Sequence, residues 1–475
     1  MYGMEVTAEP LQTVPLGPSL TREQARRIYR QGEEAVVFAL LTLAQQSAPP
    51  APSTSPSTPS AMVPPYQKPS CHSRSKRPGR KAGHPGSRRP PPERIDQQRT
   101  HRLKRCPACG GPLKRCDQTR TRYTEDIPKD ITPVVTEHTI HRDWCPRCVQ
   151  HVEPAVPDVL PKATLGNRVL ILSAWLHYGL GNTLSQIVEI FNHHLQIKLT
   201  GGGLIQMWYR LQGVLFGWYL QIQTEAMTSA VLHADETGWR VNGKTHWLWC
   251  FSTSDLTFYM IDRSRGSPAL RKFFQEEFQG TLISDFWGAY NAVVCRKRQM
   301  CLVHLLRDLE HVETYKCVDQ DWAAFAKKLR RLIRDAIRLW RRENVPASEF
   351  ASRRDRLDVR LGELIETPWR HQEANRLVKR LRRHRNELFT FLDEAGVPFD
   401  NNHAERAIRP AVLIRKNSYS NRSRRGADAQ AVLMSVYRTL KQRGYHPIDT
   451  IVKAIESYLT TGTLPSLPAP TTTDG

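Results

Sequence analysis

Hydrophobic residues follow two different periods along this chain, and the switch between them separates its parts. Residues 20–46 (LTREQARRIYRQGEEAVVFALLTLAQQ) carry Ile28, Val36, Phe38, Leu40, Leu41 and Leu43 at helical spacing, which predicts one amphipathic helix. The heptad does not persist over the three or four repeats of a coiled coil. Between 163 and 222 the helical period returns: LSQIVEIFNHH, LQIKLTGGG and LIQMWYRLQGVL read as helix, turn, helix. That order fits a DNA-reading helix-turn-helix or a plain hairpin packed on a core. The second helix offers few polar readers beyond Gln206 and Arg210.

At residue 229 the period becomes alternating. SAVLHADETGWRV, KTHWLWCFST and LTFYMIDRS are rich in β-branched and aromatic residues, and Asn242-Gly243-Lys244 and Ser254-Asp255 break them into three strands. PALRKFFQEEF reads as a helix and GTLISDF as a fourth strand. Three antiparallel strands, a crossover helix and a fourth strand parallel to the first give a ribonuclease H-like mixed sheet. In that order the ends of the first and fourth strands are neighbours. Residues 318–395 are highly charged with Leu, Ile and Trp at helical spacing, an all-helical insertion at about 305–395. After Gly396-Val397-Pro398 a helix begins near Asn401, with Asn and Asp as cap candidates.

Composition divides the remainder. Residues 48–70 are rich in Pro, Ser, Thr and Ala, and SKRPGRKAGHPGSRRPPPERID follows as a basic arm without regular structure. The expected organisation is a multidomain α/β chain: an N-terminal helix (1–47), a linker (48–103), a cysteine-bearing segment (104–155), a helical segment (160–228), the sheet domain with its insertion (229–430) and a small helical C-terminal domain (431–468). The formal charge is +23 and the isoelectric point about 9.8. The charge is clustered: 71–105 holds twelve Lys/Arg against two acids, and 406–443 holds ten against one. A polyanionic partner follows, nucleic acid before any other. The opening MYGMEVTAEPLQ is neither basic nor apolar, so no secretory leader is expected. The apolar stretches 169–181 and 204–222 are broken by His177 and Arg210 and fall short of the ~20 residues that span a bilayer, so no membrane partner is expected. Ten cysteines without a disulfide framework point to a reducing cytoplasm.

Four of those cysteines form Cys106-Pro-Ala-Cys109 and Cys145-Pro-Arg-Cys148. Two thiolates in a tight turn can share one tetrahedral zinc, and two such knuckles complete a four-thiolate site. Gly110-Gly111 suits the first turn, and the alternating ITPVVTEHTIH between the pairs reads as strands of a zinc ribbon; Cys116 is a spare thiol. So small a core is marginal without its metal.

Asp235 in AVLHADETGWRV and Asp285 in TLISDFWGAY end short apolar runs that read as strands, Glu405 in DNNHAERAIRP opens a helical stretch, and the expected fold brings the three together. Three carboxylates can hold two divalent cations, Mg²⁺ or Mn²⁺, ~4 Å apart, the arrangement suited to phosphodiester chemistry. Asp262 and Glu236 are rivals in the same sheet, and an ion pair between Glu405 and Arg409 is the plain alternative for the third acid. Arg406, Arg409, Arg415 and Lys416 are the candidate DNA contacts on the same helix. Cys301 and His304 sit at i and i+3 in QMCLVHLLRDLEH.

GRKAGHPG, the paired CPxC knuckles, HADETGWRV, SDFWGAY, CLVHLLRDL, NNHAERAIRPAVLIRKNS and YRTLKQRGYHPIDTI run in this order from about residue 80 to 455. Together they resemble the DDE transposases of the insertion-sequence-66 family. The resemblance implies an RNase H-like catalytic domain preceded by a zinc-binding domain, with Asp235, Asp285 and Glu405 as the catalytic triad. Cys301 and His304 resemble a CxxH signature found between the second Asp and the Glu of related transposases. The implied function is metal-dependent cleavage at insertion-sequence ends and strand transfer into target DNA. Implied with it are a homo-oligomer on DNA, accessory proteins of the same element, and a place in the bacterial cytoplasm with the nucleoid. A catalytically decayed or domesticated DNA-binding relative is the alternative, and a nuclease that hydrolyses without joining is a further one. The chain departs from the family at its N-terminus, where members carry a longer zipper-like helix and only 20–46 fits here.

Overall fold

The computed structural model describes residues 21–37, 39–40, 92–114, 120–128 and 131–471. The Pro/Ser-rich linker, most of the basic arm and Cys116 lie outside the described residues. The chain divides into two units: 69–137 with 189–199, and the remainder.

The larger unit is built on a five-stranded sheet ordered β5-β4-β3-β6-β7. Its strands are β3 (Val231–Val241), β4 (Lys244–Ser252), β5 (Thr257–Asp262), β6 (Phe278–Ser284) and β7 (Cys295–Met300). The first three are antiparallel neighbours, and β6 and β7 join parallel. Asn242 (φ 50°) and Gly243 (φ 72°) turn β3 into β4, both in the left-handed region that matches strand twist in a two-residue hairpin. Helix α5 (Ser267–Phe273) makes the crossover to β6, as the pattern predicts. A layer of buried Trp249, Phe251, Phe258 and Phe273 fixes the sheet against α5.

Gly280 marks a close approach in this sheet. A Cβ there would lie 2.3 Å from the Ser229 carbonyl oxygen and 2.8 Å from that of Ala230. Only glycine lets β6 come this near to β3, where their parallel pairing starts at Val231 and Thr281. The sheet's outer strand β5 is closed by helix α12 (Arg424–Gln442). The Ser435 and Thr439 hydroxyls accept from the backbone N–H of Tyr259 (2.9 Å) and Thr257 (3.1 Å), so the edge presents fewer free donors.

Strand β7, CRKRQM, has no alternating signature and is absent from the sequence expectation; its inner half is buried and its outer half exposed. Helices α6 (Leu302–Tyr315), α7 (Gln320–Trp340), α8 (Ala347–Glu366), α9 (Gln372–Arg383) and the short α10 (Thr390–Asp393) fill the charged stretch. They share a core of Leu305, Leu309, Trp322, Phe325, Leu361 and Leu377 that runs on to Ile283 and Met300 of the sheet. Helix α11 (Asn402–Ser418) returns to β3 and β4. Helix α13 (Pro447–Thr461) follows α12.

The helical segment before the sheet contains α2 (Asn167–Ala174), α3 (Leu184–Glu189) and α4 (Gly201–Met227). In α4 the side chains of Leu211, Leu215, Trp218 and Ile222 are buried, and Tyr219 donates to the Tyr259 carbonyl at 2.8 Å. Arg210 donates to the Pro161 carbonyl at 3.2 Å.

Three expectations are corrected. The single helix over 20–46 is broken: α1 (Arg22–Arg30) stops at Gln31, Gly32 takes φ 99°, and helix resumes at 33. ITPVVTEHTIH forms no strand; Val134 and Val135 are 93% and 90% exposed, so the alternation faces no core to define it. The strands near the second cysteine pair are β1 (Asp143–Cys145) and β2 (Gln150–Val152), a short antiparallel hairpin. Finally, Asp235 does not end its strand but lies inside β3, because the hairpin carries pairing with β4 on to Val241.

Candidate active site

The parallel register of β3 and β6 explains how residues fifty positions apart meet. Val231 pairs with Thr281, Leu232 with Leu282 and His233 with Ile283; continued by two residues, the register sets Asp235 level with Asp285. Asp285 follows directly on the last residue of β6, and it is 7% exposed. Its Oδ1 accepts from the Trp287 backbone N–H at 2.9 Å, while Asp235 Oδ1 accepts from that of Glu236 at 2.9 Å.

Two carboxylates at such a place, Asp285 buried and Asp235 half-buried, repel each other. Burial pushes the Asp235 carboxyl well above the usual range, and the charges of Glu236, Asp285 and Glu405 add to the push. Burial and the Glu236 charge lift Asp285 to about 7. Glu236 itself is raised by burial, but it is compensated. Arg265 donates to its Oε1 from Nε (3.1 Å) and Nη2 (3.0 Å), and the Tyr290 hydroxyl donates to its Oε2 at 2.8 Å. The Arg265 guanidinium lies over the rings of Trp247 and Trp287, 4.6 and 3.8 Å from their centroids. The other rival, Asp262, is tied to Lys272 at 2.5 Å. Among the described residues no cationic side chain is hydrogen-bonded to Asp235 or Asp285, whereas Glu236, Asp262 and Glu405 each have one; the charges of Arg265 and Arg380 only partly offset the rise at Asp285.

Glu405 lies one turn into α11, where its N–H donates to the Asn401 carbonyl at 3.2 Å. Its carboxylate is gripped by Arg307 of α6, which donates from Nη1 to Oε1 at 2.7 Å and from Nη2 to Oε2 at 3.0 Å. Burial alone would raise this carboxyl; the Arg307 hydrogen bonds outweigh it and hold it below the usual range. The alternative of an ion pair with Arg409 gives way to one across the fold. Among the described residues no three His, Cys, Asp or Glu side chains gather closely enough to share one ion. Glu405 adds charge to the aspartate pair but is held by its arginine.

Cys301 and His304 both come to this site. His304 Nε2 lies 4.0 Å from Glu405 Oε1 and 3.5 Å from Arg307 Nη1, and burial together with the Arg307 charge presses its pKa down to about 4. The Cys301 thiol, fully buried, is pushed up to about 12 by burial. Of the basic candidates on α11, Arg406, Arg409 and Lys416 are exposed. Arg415 is engaged inside the fold, donating to Thr237 Oγ1 (2.8 Å) and the Gly238 carbonyl (2.6 Å) of β3. Sequence reasoning missed Arg307 and Asn401. The first is one helical turn beyond His304 in CLVHLLRDL, which is the only signal that it shares a face with it.

The cysteine knuckles are separate local structures. In the first, the Gly110 N–H donates to the Cys106 carbonyl at 2.9 Å and the Cys106 N–H to the Gly111 carbonyl at 3.0 Å, with Gly110 at φ 71°. In the second, the Cys148 N–H donates to Cys145 Sγ at 3.4 Å. The backbone N–H of Cys109 lowers the Cys106 thiol, and that of Cys148 lowers Cys145, so both turns favour thiolate at their first cysteine.

Comparison with known proteins bears on both regions. Residues 104–149 match the zinc-finger binding domain of transposase IS66. An uncharacterized protein of Sinorhizobium fredii, y4qI, is 23% identical over 248 residues, covering 45% of this chain and 44% of that protein. The chain thus spans less than half the length of this curated relative. No helix among the described residues is long and apolar enough to cross a membrane. Residues 162–429, more than half of the chain and the whole span from α2 to the start of α12, match the model of the Transposase IS66 family, and the chain belongs to that family.

Proposed function

We propose that this chain is a DNA transposase that cuts phosphodiester bonds at the ends of an insertion sequence and joins the freed 3′ ends to target DNA. The observation that carries the reading is the pair Asp235 and Asp285, two oxygen donors raised by burial and neighbouring carboxylates and, among the described residues, without a hydrogen-bonded cationic side chain. Their excess negative charge and hard oxygen chemistry fit Mg²⁺ or Mn²⁺. Asp235 and Asp285 would hold the ions, and Glu405 would join them on leaving Arg307. When bound, such ions supply an activated water or 3′-hydroxyl and stabilise the leaving oxygen. The strand order β5-β4-β3-β6-β7, with the fourth and fifth strands parallel to the first, supports the ribonuclease H-like reading.

The chain's own residues do the rest. Glu236, neutralised by Arg265 and Tyr290, stiffens the strand beside Asp235 without competing for the site. Exposed Arg406, Arg409 and Lys416 hold phosphates, which makes affinity salt-dependent, and Arg415 fixes α11 to β3. Cys106, Cys109, Cys145 and Cys148 are assigned to one structural zinc ion, supported by the two thiolate-favouring turns and the match over 104–149. The setting is the bacterial cytoplasm, on the nucleoid, as a homo-oligomer with accessory proteins of the element.

The test is incubation of the full chain with DNA carrying its own flanking element ends, with Mg²⁺ or Mn²⁺, beside Asp235→Ala, Asp285→Ala and Glu405→Ala. Each variant is expected to lose cleavage and strand transfer by at least about a thousandfold while still binding DNA. Joining activity retained in any of the three would remove that residue from the site. If the wild type binds but does not cut, even with the element's other proteins added, the chain is a decayed DNA-binding member.

A further inference from the structure

We propose that Asn401 and Cys301 are positioning residues that hold the three acid-bearing segments in register, an inference that rests on the metal-site reading of Asp235, Asp285 and Glu405. The sheet pairing of β3 with β6 ends at His233 and Ile283, before either aspartate. Beyond that point a compact set of bonds takes over. The Asn401 side-chain Nδ2 donates to the Ala234 carbonyl at 2.8 Å, the residue immediately before Asp235. The Cys301 N–H donates to the Ser284 carbonyl at 3.0 Å, the residue immediately before Asp285. The Asn401 N–H donates to Cys301 Sγ at 3.2 Å, which joins the two halves. The Asn401 carbonyl accepts from the Glu405 N–H and so opens the turn that carries the third acid.

Each acid is therefore one residue or one helical turn from this junction. Asn401 is 1% exposed and Cys301 0%, so water does not substitute for these bonds. The Asn401 side chain is spent entirely on the sheet, since its Oδ1 meets His233 Nδ1 at 3.0 Å. An amide oxygen can only accept, so the His233 Nδ1–H is the donor. An asparagine at a helix N-cap ordinarily accepts from the helix's own first turn. Here it occupies the cap position of α11 without a side-chain cap bond, and Asp400 Oδ1 takes the Asn402 N–H at 3.1 Å instead. Local helix chemistry has given way to a link between the sheet and α11. The thiol at 301 serves as an acceptor for backbone; burial keeps it protonated and unsuited to ligation.

The experiment uses the full chain bound to duplex DNA carrying an element end, with Mn²⁺ binding followed by electron paramagnetic resonance and cleavage measured in parallel. Asn401→Ala and Cys301→Ala are expected to weaken Mn²⁺ binding by about tenfold or more, as loss of outer-shell support typically does. The cleavage rate constant should fall with it, while DNA affinity changes less than about twofold, because the basic contacts are elsewhere. Cys301→Ser restores an acceptor at the same place and should recover most of what Cys301→Ala loses. That serine–alanine difference keeps the test open even if Asn401→Ala fails to fold. Asp285→Ala serves as the reference. If it loses Mn²⁺ binding while Asn401→Ala and Cys301→Ala keep it, the positioning role is overturned and the metal site stands. If Asp285→Ala binds Mn²⁺ as the wild type does, the metal-site reading falls, and this inference with it.

Discussion

Behind Asp235 and Asp285 stand Trp249, Phe251, Leu282 and Ile283, all fully buried, on strands of six residues or more; beside Cys145 and Cys148 stand two strands of three residues with exposed Trp144 and Val149. The first region has enough apolar burial to hold like charges close together against their repulsion. The second has almost no core, and its described order consists of turns around thiols. A metal ion therefore means different things in the two places. At the aspartates it would occupy a site that packing has already built. At the cysteines it would supply the folding free energy itself.

The comparison breaks most readily at the cysteines. Cys145→Ser is expected to release zinc and leave 104–152 open to limited proteolysis, while the sheet's cooperative thermal transition stays where it was. A shift of that main transition by more than a few degrees would show that the knuckles support the sheet, against the distinction drawn here.

A smaller effect, opposite in sign, is expected at the acids. Asp285 has a folded pKa of about 7, raised from the ordinary aspartate range. A carboxyl raised in this way favours folding most fully below its unfolded pKa, and the contribution is lost as pH rises through the folded value. The metal-free chain should thus lose stability between about pH 4 and 7. Asp285→Asn, which keeps an acceptor for the Trp287 N–H, should raise stability in chelator at pH 8 by roughly 2–4 kcal/mol. Denaturant titrations at pH 5 and 8 check this: the gain should fall to less than half at pH 5, and added Mn²⁺ should stabilise the wild type but not the variant.

The smallest effect belongs to the exposed alternating stretch. Val134→Ser and Val135→Ser should change stability by less than about 0.5 kcal/mol in the zinc-loaded chain, because neither side chain leaves water on folding. A larger loss in thermal unfolding would mean that these residues pack on something after all.

The same contrast explains what could be read from the sequence. Strands β3 to β6 announce themselves because each alternates or runs apolar against a real core, and the turn residues Asn242 and Gly243 stand where the hairpin needs them. ITPVVTEHTIH alternates just as well, yet alternation has no consequence where no opposing face exists. Asp235, Asp285 and Glu405 were singled out from their places in the expected fold and from a family resemblance. Arg307, which occupies Glu405, was not: its partner is ninety-eight positions away and only the three-dimensional path of α6 joins them. Asn401 was read as an ordinary helix cap, since nothing local reveals that its side chain turns to Ala234. Strand β7 was missed because CRKRQM owes its conformation to the neighbouring β6 and to the helical core beneath it, not to its own composition.

Gly280 has a bearing on how such a gene can fail. Every single-base missense change of a glycine codon installs a residue with a Cβ, and at this position that carbon meets a carbonyl oxygen at 2.3 Å. The strand must then move away from β3, and Asp285, five residues on, moves with it. A copy inactivated at codon 280 would keep all three acids, both cysteine pairs and every basic residue. Counting intact motifs would score it as whole, and only the missing space between two strands would betray it.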